Sequence, residues 1–287
     1  MIPGNFQYHA PTTLKQAVEL LNQYGEEAKI LAGGHSLLPM MKLRFAEPAH
    51  LIDINLVPGL KGISEKTGMI HIGAMTTENE LIASELLQKK CPLIPEAARL
   101  IADPQVRNRG TIGGDVAHGD PGNDHPAVML ALGASLVLRG PKKERVVPVD
   151  GFYLGPLSTQ IQADEILTEI RVPTPPPRSG YAYQKLKRKI GDFATAGAAV
   201  QLTLNNGACS QIGIALTNAG PTPIKLTAAE KLLTGKKLDE ALIQKAAELA
   251  MAACDPAPDM RGPVEYKRHM VAEMTKRALK QAWSRAA

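Results

Sequence analysis

Two short glycine-containing segments constrain the fold of this chain more than any other feature. Ala32-Gly33-Gly34-His35-Ser36 follows an apolar run, and Thr111-Ile112-Gly113-Gly114-Asp115 has the same style further along the chain. Glycine tolerates unusual backbone angles and lets a ligand come close, and consecutive backbone N–H groups can hold a phosphate without a metal. We therefore predict that the two segments hold one phosphate-containing ligand from two sides. The alternative is that each glycine pair only makes a tight turn.

Neither segment follows a widespread nucleotide-binding motif. The glycine spacing differs from G-x-G-x-x-G and from G-x-x-x-x-G-K-[ST]. Those motifs mark the Rossmann dinucleotide site and the P-loop. The sequence therefore argues against both of these phosphate sites.

Composition indicates a globular protein with two domains. A chain of 287 residues is long enough for two domains of ordinary size, and a hydrophobic content of 44% can fill their cores. No stretch reaches the roughly 18 uninterrupted apolar residues of a membrane helix, and residues 1–13 lack the basic and apolar parts of an export signal. We therefore expect a cytoplasmic protein without a membrane span.

The cysteines predict neither a disulfide framework nor a metal centre. Cys91, Cys209 and Cys254 lie far apart, and no C-x-x-C pair occurs. Any iron or zinc is therefore expected in another chain.

Positive charge is concentrated in the C-terminal part of the chain. Residues 178–287 contain 17 Lys and Arg against 9 Asp and Glu, whereas residues 1–177 contain 16 against 19. Nucleic-acid binding would favour aromatic side chains among the basic ones, but the aromatic content is only 4%. A solvated face or an acidic protein partner is the favoured interpretation, and no nucleic acid is expected.

The proline-rich segment 171–180 predicts an extended connector, which we take as the boundary between domains 1–177 and 178–287.

Thr13-Leu14-Lys15-Gln16 fits a capping box at the start of a helix. Apolar periodicity and turn signals predict the remaining elements. The predicted helices are 13–24, 77–89, 93–102, 227–253 and 263–285, and the predicted strands are 28–32, 50–56, 68–75, 181–189 and a hairpin in 198–220 around Asn205-Asn206-Gly207.

Four stretches together carry a family resemblance: AGGHS (32–36), TIGGD (111–115), GDPGND (119–124) and KLKRKIGDFATA (185–196). They resemble the flavoprotein subunits of the molybdenum hydroxylases, the group of xanthine dehydrogenase and aerobic carbon monoxide dehydrogenase. The resemblance extends over essentially the whole chain. Within the group, the N-terminal segment, IADPQVRNRGTIGG (101–114) and KLKRKIGD are most similar to the medium subunits of the carbon monoxide dehydrogenases.

The resemblance implies an α+β fold. It consists of a vanillyl-alcohol-oxidase-type (PCMH-type) FAD-binding domain and a C-terminal α+β domain with a small antiparallel sheet and helices. The FAD-binding domain, 1–177, would contain two α/β subdomains at about 1–55 and 56–177. The C-terminal domain would cover 178–287.

The same resemblance implies noncovalent FAD, with its diphosphate cradled by the two glycine segments. It also implies that Asp124 contacts FAD, that Lys185 lies near the flavin ring and that Phe193, next to Asp192, stacks on it. The implied cofactor-binding residues are Ala32, Gly33, Gly34, His35, Ser36, Thr111, Gly113, Gly114, Asp115, Asp124, Lys185, Asp192 and Phe193.

Two of these residues depart from the family pattern. Asp115 stands where relatives commonly have Asn, and a carboxylate beside a diphosphate is repelled unless it points away or accepts a backbone or ribose hydrogen bond. We expect it to face the ribose. Phe193 stands where tyrosine is frequent, so a stacking ring is kept but its hydroxyl is lost.

Other polar residues near the second segment leave alternatives open. His118 and His125 flank Asp120 and Asp124, which would allow a metal, although FAD binding already explains this loop and no metal site is predicted. Arg107 and Arg109 suit either neutralisation of the diphosphate or salt bridges within the loop. The run 187–189 is interpreted as a solvated basic patch or as one that steers an anionic partner.

No catalytic acid, base or nucleophile for substrate chemistry is predicted in this chain. The resemblance instead implies an FAD-carrying electron-transfer subunit in a dimer of heterotrimers. A small partner would carry two [2Fe–2S] clusters, and a large partner a molybdenum–copper site that converts CO and water to CO2, two protons and two electrons. Electrons would leave through the flavin to a quinone or respiratory acceptor, in the cytoplasm or at the inner face of its membrane.

Three alternatives remain open at this point. The chain is equally suited to a flavin subunit of a hydroxylase for purines or N-heterocycles, which would differ only in its partners. A stand-alone flavin oxidase would turn over without partners. A non-enzymatic phosphate-ligand binding protein would retain phosphate compounds but no flavin.

Overall fold

The computed structural model describes residues 2–286, and its first part is a small three-stranded parallel sheet in the order β1-β3-β2. Helix α1 packs Ala17, Val18 and Leu21 against Ile52 of the central strand. The elements are β1 (Gln7–His9), α1 (Leu14–Tyr24), a 3-10 turn (Gly25–Glu27), β2 (Ala28–Leu31), α2 (Leu37–Lys42) and β3 (His50–Asp53).

Helix α1 was predicted with a complete capping box, and the structure contains half of it. The Thr13 hydroxyl accepts from the Gln16 backbone N–H at 3.2 Å. The Gln16 side chain, however, accepts from the N–H of Thr12 rather than from that of Thr13. The helix itself is confirmed because the Thr13 cap is sufficient to satisfy a donor of its first turn.

The second part is a five-stranded antiparallel sheet in the order β4-β5-β10-β6-β7, accompanied by six helices. A two-stranded ribbon, β8-β9, lies outside this sheet. The elements are β4 (Ile63–Lys66), β5 (Met69–Gly73), α3 (Glu78–Ala83), α4 (Glu85–Lys90), α5 (Leu93–Ala98), α6 (Pro104–Arg107), α7 (Ile112–His118), α8 (His125–Leu132), β6 (Ser135–Arg139), β7 (Glu144–Pro148), β8 (Tyr153–Gly155), β9 (Ser158–Thr159) and β10 (Ile166–Pro173).

The single helix predicted over 77–89 is two helices, because Ser84 has extended backbone angles. Its side chain accepts from the Leu87 N–H and caps α4 at the residue where α3 ends. Serine competes with helix continuation through such local hydrogen bonds. Ser84 is thus both the C-cap of α3 and the N-cap of α4.

The third part is a four-stranded antiparallel sheet in the order β11-β12-β13-β14, covered by three helices. The predicted hairpin is confirmed, with Asn206 at φ 51° and Gly207 at φ 77°, as its two-residue turn requires. The predicted helix 227–253 is interrupted at Gly235, whose N–H donates to the Cys209 carbonyl. The elements are β11 (Ser179–Leu186), β12 (Ala196–Asn205), β13 (Ala208–Thr217), β14 (Ile224–Lys225), α9 (Thr227–Leu233), α10 (Glu240–Ala253) and α11 (Val264–Ala286).

The proline-rich connector is shorter than predicted. Residues 171–173 complete β10, so only 174–178 join it to β11. The largest apolar core also continues across this junction, since Tyr183 and Ala199 belong to the same buried cluster as Ile170. The domain limits 1–177 and 178–287 therefore stay predictions.

The predicted fold class is confirmed: two mixed sub-assemblies precede an antiparallel sheet with helices. No helix formed by residues 2–286 combines the length and the apolar character that crossing a membrane requires.

Candidate cofactor-binding site

The two glycine segments meet in the structure. A Cβ built on Gly33 would lie only 2.3 Å from the carbonyl oxygen of Arg109, just before the second segment. A Cβ built on Gly114 would lie 3.8 Å from the Ala32 methyl group. The fold therefore brings together two segments that are distant in sequence, as the prediction of one shared ligand requires.

The first segment, residues 32–36, connects the end of β2 to α2 and leaves its backbone donors free. Among residues 2–286, no protein group accepts a hydrogen bond from the N–H groups of Gly33, Gly34, His35 or Ser36. Gly34 has φ +77°, a conformation that glycine adopts without strain. Since unpaired N–H donors are costly away from water, this row of donors is suited to an anionic acceptor.

Asn55 and Asp53 anchor the first segment at its first residue, Ala32. Asn55 donates from Nδ2 to the Ala32 carbonyl at 2.9 Å and to Asp53 Oδ1 at 2.7 Å, and Tyr8 donates to Asp53 Oδ2 at 2.6 Å. Burial opposes ionisation of Asp53, but the hydrogen bonds from Tyr8 and Asn55 and the charge of Arg109 lower its pKa overall. An ionised Asp53 therefore holds the anchor in place.

The second segment differs from the prediction that it offers the same free donors. The N–H groups of residues 112–115 donate to the Thr76 carbonyl (3.0 Å), the Ala74 carbonyl (2.9 Å), the Thr111 hydroxyl (3.1 Å) and the Thr111 carbonyl (3.0 Å), respectively. Thr111 thus caps α7, and the start of that helix consumes the donors. The second segment can offer a ligand the partly exposed Gly114, but no row of free N–H groups, and its Gly113 is buried against Ala74.

Asp115 turns its carboxylate towards the start of α8. Its Oδ2 accepts from the backbone N–H of His125 at 3.1 Å, which is one of the two orientations that limit repulsion of a diphosphate. The expected contact with the ribose stays a prediction. The pKa of Asp115 is raised to about 7, mainly by burial and also by the charges of Glu78 and Asp124. The charge of His125 acts in the opposite direction.

A buried ion pair lies directly behind Asp115. His125 Nε2 is 2.7 Å from Glu78 Oε2, and both side chains are almost completely buried. Burial alone would lower the pKa of His125, but Glu78, Asp115 and Asp124 raise it to about 9. His125 is therefore a charged imidazolium at neutral pH.

Asp124, predicted to contact FAD, and Lys185, predicted to lie near the flavin ring, form an ion pair with each other. Their placement relative to FAD stays a prediction. Lys185 Nζ lies 2.6 Å from Asp124 Oδ2, with side chains only 2% and 5% exposed. The other Asp124 oxygen accepts from the Tyr183 hydroxyl, which also pairs with Thr217. Burial, with the charge of Asp124, raises the pKa of Tyr183 well above its usual value, so its hydroxyl keeps its proton.

The basic residues near the loop 100–102 bind its carbonyls. Arg107 donates to the carbonyls of Ile101 (2.8 Å) and Ala102 (3.3 Å), and Lys185 and Lys187 both donate to that of Leu100. Arg107 therefore holds this loop through backbone carbonyls rather than through salt bridges. Lys187 is half-buried, whereas Arg188 and Lys189 are exposed, so the interpretation of a solvated run fits its last two residues better than its first.

Asp192 and Phe193 adjoin the loop that contains Asp120 and Gly122. A Cβ built on Gly122 would lie 3.2 Å from Phe193 Cδ1, and the ring is 47% exposed. Asp192 binds Arg188 and Arg261, whose hydrogen bonds hold its pKa at about 2. Its carboxylate is thus engaged with protein groups.

Three contributors to the site were missed by sequence reasoning: Glu78, Tyr183 and Arg261. Each acts through a partner 47 to 69 positions away. Only their chemical type was visible in the sequence, and charged or phenolic residues are common on surfaces.

The residues fit FAD. The free N–H groups of 33–36 can donate hydrogen bonds to a diphosphate, Gly114 adjoins their segment at Ala32, and the half-exposed Phe193 is available to a flavin. Within residues 2–286, no group of three or more potential ligating side chains could hold a metal ion. His125 faces Glu78, and Asp124 faces Lys185, so the histidines and aspartates of this loop do not converge.

Comparison with known proteins agrees with this geometry. Residues 4–175 match the family model of the FAD binding domain in molybdopterin dehydrogenase, and residues 181–282 match that of the CO dehydrogenase flavoprotein C-terminal domain. The chain is 55% identical to a carbon monoxide dehydrogenase medium chain of Hydrogenophaga pseudoflava, with full coverage of both chains. It is 51% identical to one from Afipia carboxidovorans, covering 100% of this chain and 99% of the other.

The fold is also similar to solved structures of related enzymes. A chain of the Hydrogenophaga pseudoflava carbon monoxide dehydrogenase lacking the Mo-pyranopterin moiety superposes with a TM-score of 0.99 at 57% identity, over all of both chains. A chain of quinoline 2-oxidoreductase from Pseudomonas putida 86 superposes with a TM-score of 0.94 at 31% identity, covering 100% of this chain and 99% of that one. The chain belongs to the family of carbon monoxide dehydrogenase medium chains, the flavoproteins with the FAD-binding domain of the molybdopterin dehydrogenases.

Proposed function

We propose that this chain is the FAD-carrying electron-transfer subunit of an aerobic carbon monoxide dehydrogenase. The observation that carries the proposal is the row of free backbone donors at Gly33 to Ser36, beside Gly114 in a chain of this family. Identities of 55% and 51% to carbon monoxide dehydrogenase medium chains over full length support the particular enzyme.

In this proposal the cofactor lies between the two segments. The N–H groups of residues 33–36 donate to the diphosphate oxygens, and Ser36 adds a hydroxyl. Thr111, Gly113 and Gly114 form the opposite wall. A half-exposed aromatic ring such as Phe193 can stack on a flavin, and burial of the ring system excludes water from one face. His35 is exposed and makes a noncovalent contact.

Asp124, Lys185 and Asp115 then act largely through one another. Lys185 neutralises Asp124, and the Asp115 carboxylate is held away from the diphosphate by the His125 N–H. Because the charged side chains are paired, the donors of the first segment remain the dominant attraction for the diphosphate.

A bound flavin exchanges electrons one or two at a time, and can therefore link one-electron carriers to a two-electron acceptor. The proposed partners are a small chain with two [2Fe–2S] clusters and a large chain with the molybdenum–copper site, where CO and water become CO2, two protons and two electrons. The designation of the relatives as medium chains supports a smaller and a larger partner. We further propose a dimer of heterotrimers in the cytoplasm that delivers electrons to a quinone or another respiratory acceptor.

A second candidate is the flavin subunit of another hydroxylase. Chains of Paenarthrobacter nicotinovorans that are 37% and 34% identical are named as subunits of 6-hydroxypseudooxynicotine dehydrogenase and nicotine 6-hydroxylase. The same type of chain thus occurs in enzymes with different substrates. In both candidates the role of this chain is the same, and the partner determines the substrate.

The testing experiment is to tag this chain in its host, isolate the assembled complex and measure flavin, iron, molybdenum and copper together with CO-dependent dye reduction. FAD with all three metals and CO-dependent reduction is the expected result. FAD with iron and molybdenum but no copper and no CO-dependent reduction would transfer the proposal to the second candidate. FAD with no partner chain would contradict both and favour a stand-alone oxidase.

A further inference from the structure

Phe193 is a half-exposed aromatic residue, and the residues immediately before and after it, Asp192 and Ala194, are both held by hydrogen bonds. It contacts Gly122 along one edge, in the loop that follows α7. The residue is 47% exposed. An exposed ring on a well-held segment of chain is suited to stacking against a planar ligand.

On the N-terminal side of the ring, Asp192 lies between two arginines. Its Oδ2 accepts from Arg188 Nε at 2.8 Å, and its Oδ1 accepts from Arg261 Nη2 at 2.7 Å. The Asp192 side chain is 7% exposed, so these hydrogen bonds are shielded from water. Charge-assisted hydrogen bonds of this kind are about twice as strong as neutral ones.

Arg261 is itself anchored in the C-terminal part of the chain. Its backbone N–H donates to Asp259 Oδ1 at 2.7 Å, and Lys267 Nζ lies 2.9 Å from the same oxygen. Lys267 is almost completely buried and also donates to the Ala257 carbonyl at 2.7 Å. The guanidinium that binds Asp192 therefore belongs to the segment before α11, which Lys267 of that helix holds at Ala257 and Asp259.

On the C-terminal side of the ring, Asn218 holds the next residue. Its Nδ2 donates to the Ala194 carbonyl at 2.6 Å, and its own N–H donates to the Pro121 carbonyl at 2.9 Å. One residue thus binds the segment of the ring and the loop that the ring touches. This fixes the distance between Phe193 and Gly122.

From these contacts we infer that Arg261 and Asn218 are positioning residues that hold Phe193 as a fixed aromatic wall for the flavin. Asp192 then transmits the position of Arg261 to the ring and is not itself a cofactor ligand. The inference rests on the proposed function, because it takes FAD as the ligand of the ring.

The test measures FAD release from the assembled complex, followed by the fluorescence of the freed flavin, together with the visible circular dichroism of the bound flavin. Phe193→Ala is the reference, and we expect it to speed release by about threefold to tenfold, the usual worth of an aromatic stacking contact. Arg261→Gln should change both readouts in the same direction by no more than Phe193→Ala, and Arg261→Lys should restore part of the effect. Arg277→Gln, which removes an exposed ion pair with Glu273 on α11, is the matched control and should change neither.

The double variant Phe193→Ala/Arg261→Gln distinguishes positioning from a general structural effect. If Arg261 acts through the ring, the double variant releases FAD no faster than Phe193→Ala alone. Fully additive effects of the two substitutions would overturn the inference. Should Arg261→Gln prevent assembly, Asn218→Gly takes its place, because glycine tolerates the φ of +53° at this position while removing the Nδ2 donor.

Failure of the inference and failure of the proposed function give different results. Faster release in Phe193→Ala with no change in Arg261→Gln or Asn218→Gly would overturn only the positioning role. No change in Phe193→Ala itself would overturn the placement of the flavin against this ring. A complex of the unsubstituted chain that contains no FAD would overturn the proposed function.

Discussion

The two glycine segments have the same sequence style and opposite structural roles. In the first, residues 32–36, the backbone N–H groups are left free and the segment is fixed from below by Asn55. In the second, residues 111–115, the N–H groups are consumed by the start of α7 and by the chain after β5. The second glycine pair therefore serves a helix start and close packing, whereas the first combines close packing at Gly33 with free backbone donors.

Their surroundings differ as well. The first segment has a single charged anchor, Asp53, which keeps its ionised form. The second lies against the buried pair of Glu78 and His125, and through Asp124 it reaches Lys185 on the C-terminal sheet. The comparison teaches that the second segment is a structural junction, whereas the first keeps backbone donors available to a ligand.

The largest expected effect falls on this junction. Glu78→Gln would leave the charged His125 buried beside a neutral amide, and breaking such a pair costs about 3–5 kcal/mol of unfolding free energy. Denaturant unfolding of the chain in its complex should report the loss. Glu85→Gln, which removes an exposed pair with Lys89, should change stability by less than about 1 kcal/mol. Equal effects of the two would contradict the role of the buried pair.

The next effect separates packing from ligand binding within the two segments. Gly113→Ala would place a Cβ 2.5 Å from that of Ala74, and overpacking of this kind costs about 1–3 kcal/mol whether or not FAD is bound. Thermal unfolding of the complex with and without added FAD checks this. Gly34→Ala should cost about 1–2 kcal/mol through its positive φ, and should speed FAD release as well. A Gly113→Ala complex of native stability would show that the second segment is not tightly packed.

Asp115, in the second segment, should make the stability of the protein depend on pH. Its folded pKa of about 7 lies above the value of an unfolded Asp, so the folded state binds more protons and this residue lowers stability as pH rises from about 4 to 7. Asp115→Asn should remove that decline, since an amide oxygen can still accept from the His125 N–H. Unfolding midpoints measured across this range in both proteins test it. Parallel curves would contradict the assignment.

The smallest expected effect concerns the anchor of the first segment. Asn55→Ala removes two hydrogen bonds, worth about 1 kcal/mol each in stability, and loosens the Ala32 carbonyl. FAD release should therefore accelerate while α7 remains intact by hydrogen exchange. Unchanged release would indicate that the free donors hold their positions without this anchor.

A good part of the fold could be predicted from the sequence. Helix α1, the hairpin at Asn206-Gly207 and strands β2 and β3 depend on local signals: a threonine cap, a turn that needs positive φ, and runs of apolar residues. Strand β1 was not predicted. The predicted helices 77–89 and 227–253 were each too long, because Ser84 and Gly235 form hydrogen bonds that interrupt them.

The sequence predicted which segments form the candidate site, but not which side chains pair with one another there. Asp124 and Lys185 were both expected at the cofactor, and the fold pairs them with each other at 2.6 Å. Nothing local in the sequence indicates that Arg261 reaches Asp192, which lies 69 positions before it.

The sequence alone determined the family, the place of the two glycine segments and the absence of a Rossmann or P-loop motif, because these depend on residue identity and short-range spacing. The tertiary structure decided which N–H groups remain free, which carboxylates are already paired and which arginine holds Asp192. Hydrogen-bond and charge satisfaction is a long-range property, since each donor is available to a ligand only if no distant part of the chain has already accepted from it.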